Sequence, residues 1–404
     1  MKAFLWNGYL SYLLIGLAHV IMGSLLPEML AHYGKDYSAG GQLVSLQFFG
    51  FLLGVLSGPW WSGKLGKRGA LFLCLGCLSA AELVFFTLPS WPVVLTVAPL
   101  AGFGFGMVET IIGALVIQFL EGSRKTFVMT RLEVFFGLGA LGMPLISSIF
   151  IAGGWWRGAF LSLGVLSFAM VVLWALLPLG RMQAMMQKTA AGEGAELHSP
   201  PTFRHKPIGL FAIFIAVFAI YVGTEMSVAN FLPSILVANV QLQPEIAVLG
   251  GTCFWGAMAV GRLFAAHLAE RFGYAAYLLA SCVGGCVVLA CFAMVQGAAA
   301  SFALIALLGL VLSGVFSITL IYANSFFKGL EERVTSILIA SGGVGGATLP
   351  LLTGWCLDRM TIPQSIWLLV AFYALMVALV FWASRSRSAK AAAAGPIAAE
   401  LSET

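Results

Sequence analysis

The sequence is a succession of long apolar runs separated by short polar breaks. A helix needs ~20 apolar residues to cross the hydrocarbon core of a bilayer. Runs of that order lie at 4–29, 40–61, 70–88, 92–120, 127–151 and 157–180. A polar stretch at 181–206 follows, carrying Arg181, Lys188, Glu193, Glu196, His198, Arg204, His205 and Lys206. Six more runs lie at 207–238, 246–268, 274–296, 299–327, 333–356 and 364–384. The pattern predicts an all-α polytopic membrane protein with twelve transmembrane helices. Its expected organisation is an N-terminal six-helix bundle (1–180), a cytoplasmic linker (181–206), a C-terminal six-helix bundle (207–384) and a disordered, alanine-rich cytoplasmic tail (385–404). The first run is too long for a signal-peptide core and lacks a small-x-small cleavage site, so it is expected to be retained as a span.

Composition removes the alternatives. Only 9% of the residues are charged and 60% are apolar, whereas a soluble domain carries about 25% charged residues. A net charge of +5 without a basic arm or basic-aromatic patch gives no reason to expect nucleic acid. The Cys74-x-x-Cys77 pair has no second pair or histidine at metal spacing, and the seven cysteines are expected to be small apolar packing residues. Lysine and arginine placement sets orientation. With a cytoplasmic N-terminus, all of the 21 basic residues but Lys35, Arg157 and Arg359 fall in cytoplasmic loops or at cytoplasmic helix ends. Both termini are therefore expected in the cytoplasm.

The two halves look like one unit used twice. Pro27 and Pro233 are 206 residues apart, and so are Pro144 and Pro350, each of the latter behind a glycine-rich run. Lys64-Leu65-Gly66 after the second span matches Arg271-Phe272-Gly273 after the eighth at an offset of 207. Parallel six-helix repeats place a substrate site near the bilayer midplane between them. The glycine runs around Gly139 and Gly345 lack the Lys-Ser/Thr of a phosphate loop. They are expected to let helix backbones approach closely.

Six plus six spans with a long central loop and a basic-glycine loop after spans two and eight resemble the major facilitator superfamily. The segment Ala266–Gly273 is similar to that family's loop signature, with Glu270 and Arg271 as its charged pair; Gly63 replaces the acid in the first-half copy, which keeps Lys64. Gly23-Ser24-Leu25-Leu26-Pro27, Val108-Glu109-Thr110, Arg131 to Leu141, Ala229-Asn230-Phe231-Leu232-Pro233-Ser234 and Phe254-Trp255 are similar to motifs of bacterial glucose/mannose:proton symporters, a branch related to the fucose:proton symporters. The resemblance implies proton-driven hexose uptake and a gating role for Lys64, Glu270 and Arg271. In the fucose branch an acid in span one works with the span-four glutamate. Gly23 stands at that position here, which leaves the partner of Glu109 open.

Ionisable groups inside spans are costly, ~2.5–3.5 kcal/mol for most, and they are few: His19, Glu82, Glu109, Arg131, Glu133 and Glu225. Glu109, mid-span, is the expected proton carrier. His19 and Glu225 each precede their repeat proline by eight residues, so they occupy equivalent positions. Both are expected to line the cavity, with His19 sharing or modulating the proton. Glu133 matches the family string and is a candidate sugar contact; Arg131 reads equally as an interfacial anchor or a functional residue, and Glu82 as a structural residue or an outer-side anchor. A hexose offers hydroxyls at its rim and C–H faces, which call for amides and an aromatic plate. Candidates are Gln47, Asn230, Asn324 and Trp255.

The expected function is proton-coupled symport of a hexose by alternating access, in the cytoplasmic or inner membrane. The expected partners are a sugar, protons and lipid, and the protein is expected to be a monomer. No cofactor is implied beyond the proton gradient. A drug:proton antiporter on the same scaffold is the alternative. An enzyme would need clustered catalytic residues, and the five histidines are dispersed.

Overall fold

The structure, a computed structural model, describes residues 2–120, 122–177, 208–327 and 330–385. The expected linker at 181–206, and the tail after Arg385, lie outside the described residues. The helices are α1 (Lys2–Tyr33), α2 (Tyr37–Phe86), α3 (Trp91–Phe119), α4 (Gly122–Ala152), α5 (Gly158–Leu176), α6 (Ile208–Val240), the short α7 (Pro244–Ala247), α8 (Leu249–Phe272), α9 (Tyr274–Met294), α10 (Ala298–Leu312), α11 (Val315–Phe326), α12 (Glu331–Arg359) and α13 (Ile362–Arg385).

Eleven helical segments among the described residues are long and apolar enough to cross a membrane. One of them, α2, has 50 residues, which at 1.5 Å per residue is about 75 Å, more than twice the hydrocarbon thickness. It is two spans. Gly66, at φ 72° and ψ 161°, breaks the helical path between them, a backbone conformation that glycine adopts without steric cost. Spans two and three therefore join through a one-residue kink where the sequence pattern suggests a loop. In the second half Gly273 also has a positive φ, 89°, and there it separates α8 from α9. The described residues thus supply twelve segments of spanning length, and each of Pro27, Pro144, Pro233 and Pro350 lies inside a helix.

Packing divides the described residues into two compact units. The first holds those within 1–196, 226–256 and 347–360; the second holds those within 197–225, 257–346 and 361–404. In the first, α1 runs along α4, and α2 packs against α3 and α5. The division cuts α6, α8 and α12 within the helix, so one end of each of these belongs with the first six spans.

The repeat is visible in the contacts inside each unit. A Cβ on Gly139 would run into the main chain of Leu13, and a Cβ on Gly345 into the main chain of Ala219. Both members of the second pair follow the first by 206 residues. The same helix crossing, α4 on α1 and α12 on α6, is built twice with glycine at the contact. Neighbouring Gly137 has open space around its Cβ position and Gly142 only a loose contact, so the close approach is made at one glycine rather than by the whole run.

Candidate functional site

His19 sits midway along α1 inside a ring of aromatic side chains. Its imidazole makes edge contacts with Phe48 (5.2 Å between centroids), Phe136 (5.5 Å), Phe105 (5.6 Å), Phe51 (6.4 Å) and Trp255 (6.4 Å). Nε2 lies 3.2 Å from the Met226 thioether sulfur, a weak acceptor. That contact suits the tautomer with hydrogen on Nε2, which leaves Nδ1 as an acceptor. Nδ1 is buried and has no hydrogen-bond partner.

Two amides flank this ring. Gln47 on α2 is fully buried; its Nε2 donates to the Ala18 carbonyl at 3.5 Å, and its Oε1 has no partner. Asn230 on α6 is 2% exposed; its Nδ2 donates to the Met226 carbonyl at 2.9 Å, and its Oδ1 has no partner. Trp255 on α8 is buried and stacks edge-on against Phe254. His19, Gln47, Asn230 and Trp255 thus come together in the first unit. Buried polar atoms are paired in the great majority of cases. Here three acceptors, His19 Nδ1, Gln47 Oε1 and Asn230 Oδ1, stand unpaired, and the Trp255 indole lies against His19; unpaired acceptors suit a ligand rich in O–H donors.

Gly23 explains its own identity at this place. A Cβ there would lie 2.6 Å from Asn230 Cα and 2.8 Å from Asn230 Oδ1. The crossing of α1 and α6 needs glycine where the resemblance would put an acid.

Glu109 on α3 is half-buried. Its main-chain carbonyl accepts a long hydrogen bond, 3.3 Å, from the Tyr12 hydroxyl on α1. The Glu133 carboxylate on α4 is close enough to act electrostatically on both Glu109 and Tyr12. Glu133 itself is exposed. The three form a cluster separate from the aromatic ring around His19. Arg131 is exposed and lies over the Phe127 ring at 4.3 Å. Glu82 is fully buried, both carboxyl oxygens lack a hydrogen-bond partner, and its Cβ faces Gly164 of α5.

In the second unit, Glu225 is buried and accepts a 2.9 Å hydrogen bond from Tyr221, one turn earlier on α6. The Tyr221 hydroxyl also reaches the Leu312 carbonyl at 3.2 Å, and Arg262 acts electrostatically on Glu225. This carboxylate is already engaged by its own unit. Asn324 donates to the Thr335 hydroxyl at 2.8 Å across α11 and α12. Lys64 lies exposed with its ammonium 3.8 Å from the Trp60 ring centroid. Glu270 and Arg271 are exposed at the end of α8.

The sequence did not single out Met226, Tyr12, Tyr221 or the phenylalanines. Helical spacing held part of the signal. Tyr221 is four residues before Glu225, on the same helix face as its partner; Tyr12 lies seven before His19 on α1 but pairs with Glu109 of α3, which no spacing announces. No comparable spacing marks one phenylalanine among 31.

Comparison with known proteins gives a consistent picture. The chain matches the family model of the Major Facilitator Superfamily over residues 8–241 and again over 213–403. It is 31% identical over 360 residues to the glucose/mannose transporter of Bacillus subtilis, covering 88% of either chain. Among solved structures, a bacterial homologue of the human lysosomal transporter Spinster, in an inward-facing, unoccupied conformation, superposes with a TM-score of 0.78 at 13% identity, covering 95% of this chain and 96% of that one. A D-xylose–proton symporter superposes with a TM-score of 0.73 at 14% identity, covering 94% and 97%. At such identities the two structures speak for the fold.

Proposed function

The chain belongs to the Major Facilitator Superfamily, and from that premise we propose that this multi-pass membrane transporter takes up a hexose such as glucose or mannose together with a proton. The observation that carries the substrate class is the set of unpaired buried acceptors, His19 Nδ1, Gln47 Oε1 and Asn230 Oδ1, with Trp255 against His19. A hexose supplies hydroxyl donors to such acceptors and a C–H face to the indole. An apolar drug would leave all three unpaired, at a cost of ~1–3 kcal/mol for each polar group. The named substrate of the Bacillus relative has the same chemistry.

Glu109 carries the proton in this reading, with His19 central to the sugar site and able to sense its protonation through α1, which also bears Tyr12. Glu133 and Glu225 border the path of the sugar, and Asn324 borders its inner end. Lys64, Glu270 and Arg271 gate the cytoplasmic ends. The two six-span halves move as bodies, both termini face the cytoplasm, and one chain suffices. The proton gradient drives the cycle, and no chemical conversion of the sugar is involved.

The test is counterflow in proteoliposomes with labelled sugars and a panel of drugs, with and without an imposed pH gradient. Saturable hexose exchange, made concentrative by an inward proton gradient, supports the reading. Drug flux without sugar exchange overturns it.

A further inference from the structure

The end of the first unit that carries residues 33–41 holds a second polar arrangement, remote from His19. Helix α2 begins at Tyr37, and the first N–H groups of any helix have no partner within it. Its own N-cap, Asp36, accepts from Ala39 N at 2.9 Å. The two donors before that are satisfied from far along the chain. Asp358, near the end of α12, accepts from Tyr37 N at 2.9 Å through Oδ1 and from Ser38 N at 2.7 Å through Oδ2. The Ser38 hydroxyl donates to the same Oδ2. One carboxylate thus fills the N-terminus of a helix from the other half of the sequence, where the backbone dipoles favour an anion.

The surroundings show a seam rather than a chance contact. A Cβ on Gly41 would meet Pro350 O at 2.7 Å and Leu351 Cα at 3.1 Å, and a Cβ on Gly354 would come within 3.1 Å of Gly41 Cα. The first turn of α2 and the last two turns of α12 lie backbone to backbone. The equivalent seam in the other repeat joins α4 to α7 and α8: Ser148 donates to the Glu245 carbonyl at 2.7 Å and Thr252 to the Leu141 carbonyl at 3.1 Å. There the residue 206 before Asp358 is Ala152, and α7 opens on Pro244, which has no N–H. Among the described residues, the α2–α12 seam is the one in which a carboxylate of the facing helix accepts from the first N–H groups of its neighbour.

We propose that Asp358 is the latch of the outer gate. It holds the start of α2 while the transporter is closed to the outside, and it releases Tyr37 N, Ser38 N and the Ser38 hydroxyl to water when that side opens. The latch rests on the alternating-access reading and on the sidedness proposed above. Because the site is partly open to water, the released groups find water at once, and the gate stays reversible. Losing the charge-assisted contacts is expected to shift the gate equilibrium by about tenfold.

The test uses the full chain in nanodiscs with spin labels at the exposed positions Lys35 and Met360, in a cysteine-depleted background. Wild type is expected to show one dominant short distance. Asp358→Ala should raise the share of a longer distance about tenfold, and Asp358→Asn, which keeps one acceptor oxygen, should fall between. An unchanged distribution in Asp358→Ala overturns the latch. If Asp358→Ala does not fold, the comparison of Asp358→Asn and Ser38→Ala with wild type decides by the same criterion. Absence of hexose counterflow in wild type would overturn the transport reading instead, and the distances would still decide the latch.

Discussion

Gly23→Ala is the smallest change that probes the α1–α6 crossing, and its two effects have opposite signs. In a helix interior, alanine is favoured over glycine by about 0.8–1 kcal/mol. That gain applies in every conformation in which α1 is helical, so it adds to folding stability and cancels from the transport cycle. The clash does not cancel. The new methyl would sit 2.6 Å from Asn230 Cα and 2.8 Å from Asn230 Oδ1, while carbon contacts are favourable near 3.5–4.0 Å. The helices must therefore separate by roughly 1 Å, and forcing one methyl into a packed contact costs about 1–3 kcal/mol. The penalty falls only on the conformation with the crossing closed, so the population ratio moves against it by about 5- to 150-fold. The assay pairs detergent thermal stability with hexose exchange. Expected is an unchanged or slightly reduced melting temperature and exchange slowed at least fivefold. Gly345→Ala, whose methyl would hit the Ala219 main chain inside one half, should instead lower stability outright. Full exchange by Gly23→Ala with a raised melting temperature would refute the assignment of this crossing to the cycle.

Three further outcomes are expected. Glu109→Gln keeps sugar counterflow and loses gradient-driven accumulation; accumulation at the wild-type level would remove Glu109 from proton coupling. Asn230→Ala and Gln47→Ala each remove an unpaired acceptor that the proposed reading gives to a sugar hydroxyl, and on that reading each raises the KM for sugar about 2- to 10-fold; an unchanged KM in both would place the sugar elsewhere. Glu82→Met replaces an unpaired buried carboxyl between α2 and α5 and raises stability by about 1–3 kcal/mol without altering exchange; loss of exchange would show that Glu82 works in the cycle.

The span pattern and the repeat were legible because both are one-dimensional. Apolar run length reports a bilayer crossing whatever the helix touches, and an offset of 206 survives between Pro27 and Pro233 without knowledge of packing. The offset even located contacts, since Leu13–Gly139 and Ala219–Gly345 share it. Within the site, His19, Gln47, Asn230 and Trp255 were readable because polar or amphipathic groups are rare inside apolar runs. Met226 was not, since a thioether among apolar residues carries no mark until an imidazole is found 3.2 Å away. Asp358 was hidden for another reason. An acid at a helix end looks like an ordinary solvated charge, and its meaning lies in donors 320 residues earlier in the chain.

If Glu109 carries the proton, as proposed, the position of Gly23 bears on where a partner acid can stand. A carboxyl there would have to share space with Asn230, so the α1–α6 crossing and a span-one acid exclude one another in this conformation. Helix α1 reaches the main-chain carbonyl of Glu109 through the Tyr12 hydroxyl, eleven residues before Gly23, and a second carboxyl, Glu133, comes from α4 and acts electrostatically on Glu109. The exposed Glu133 meets water while Glu109 lies half-buried, so in the proposed coupling Glu133 is the group on the water side of Glu109. In the proposed reading α1 keeps the tight crossing at Gly23, and the acids stand on α3 and α4. Glu133→Gln should then weaken gradient-driven accumulation more than it weakens exchange, whereas a residue that only contacts sugar would affect the two equally.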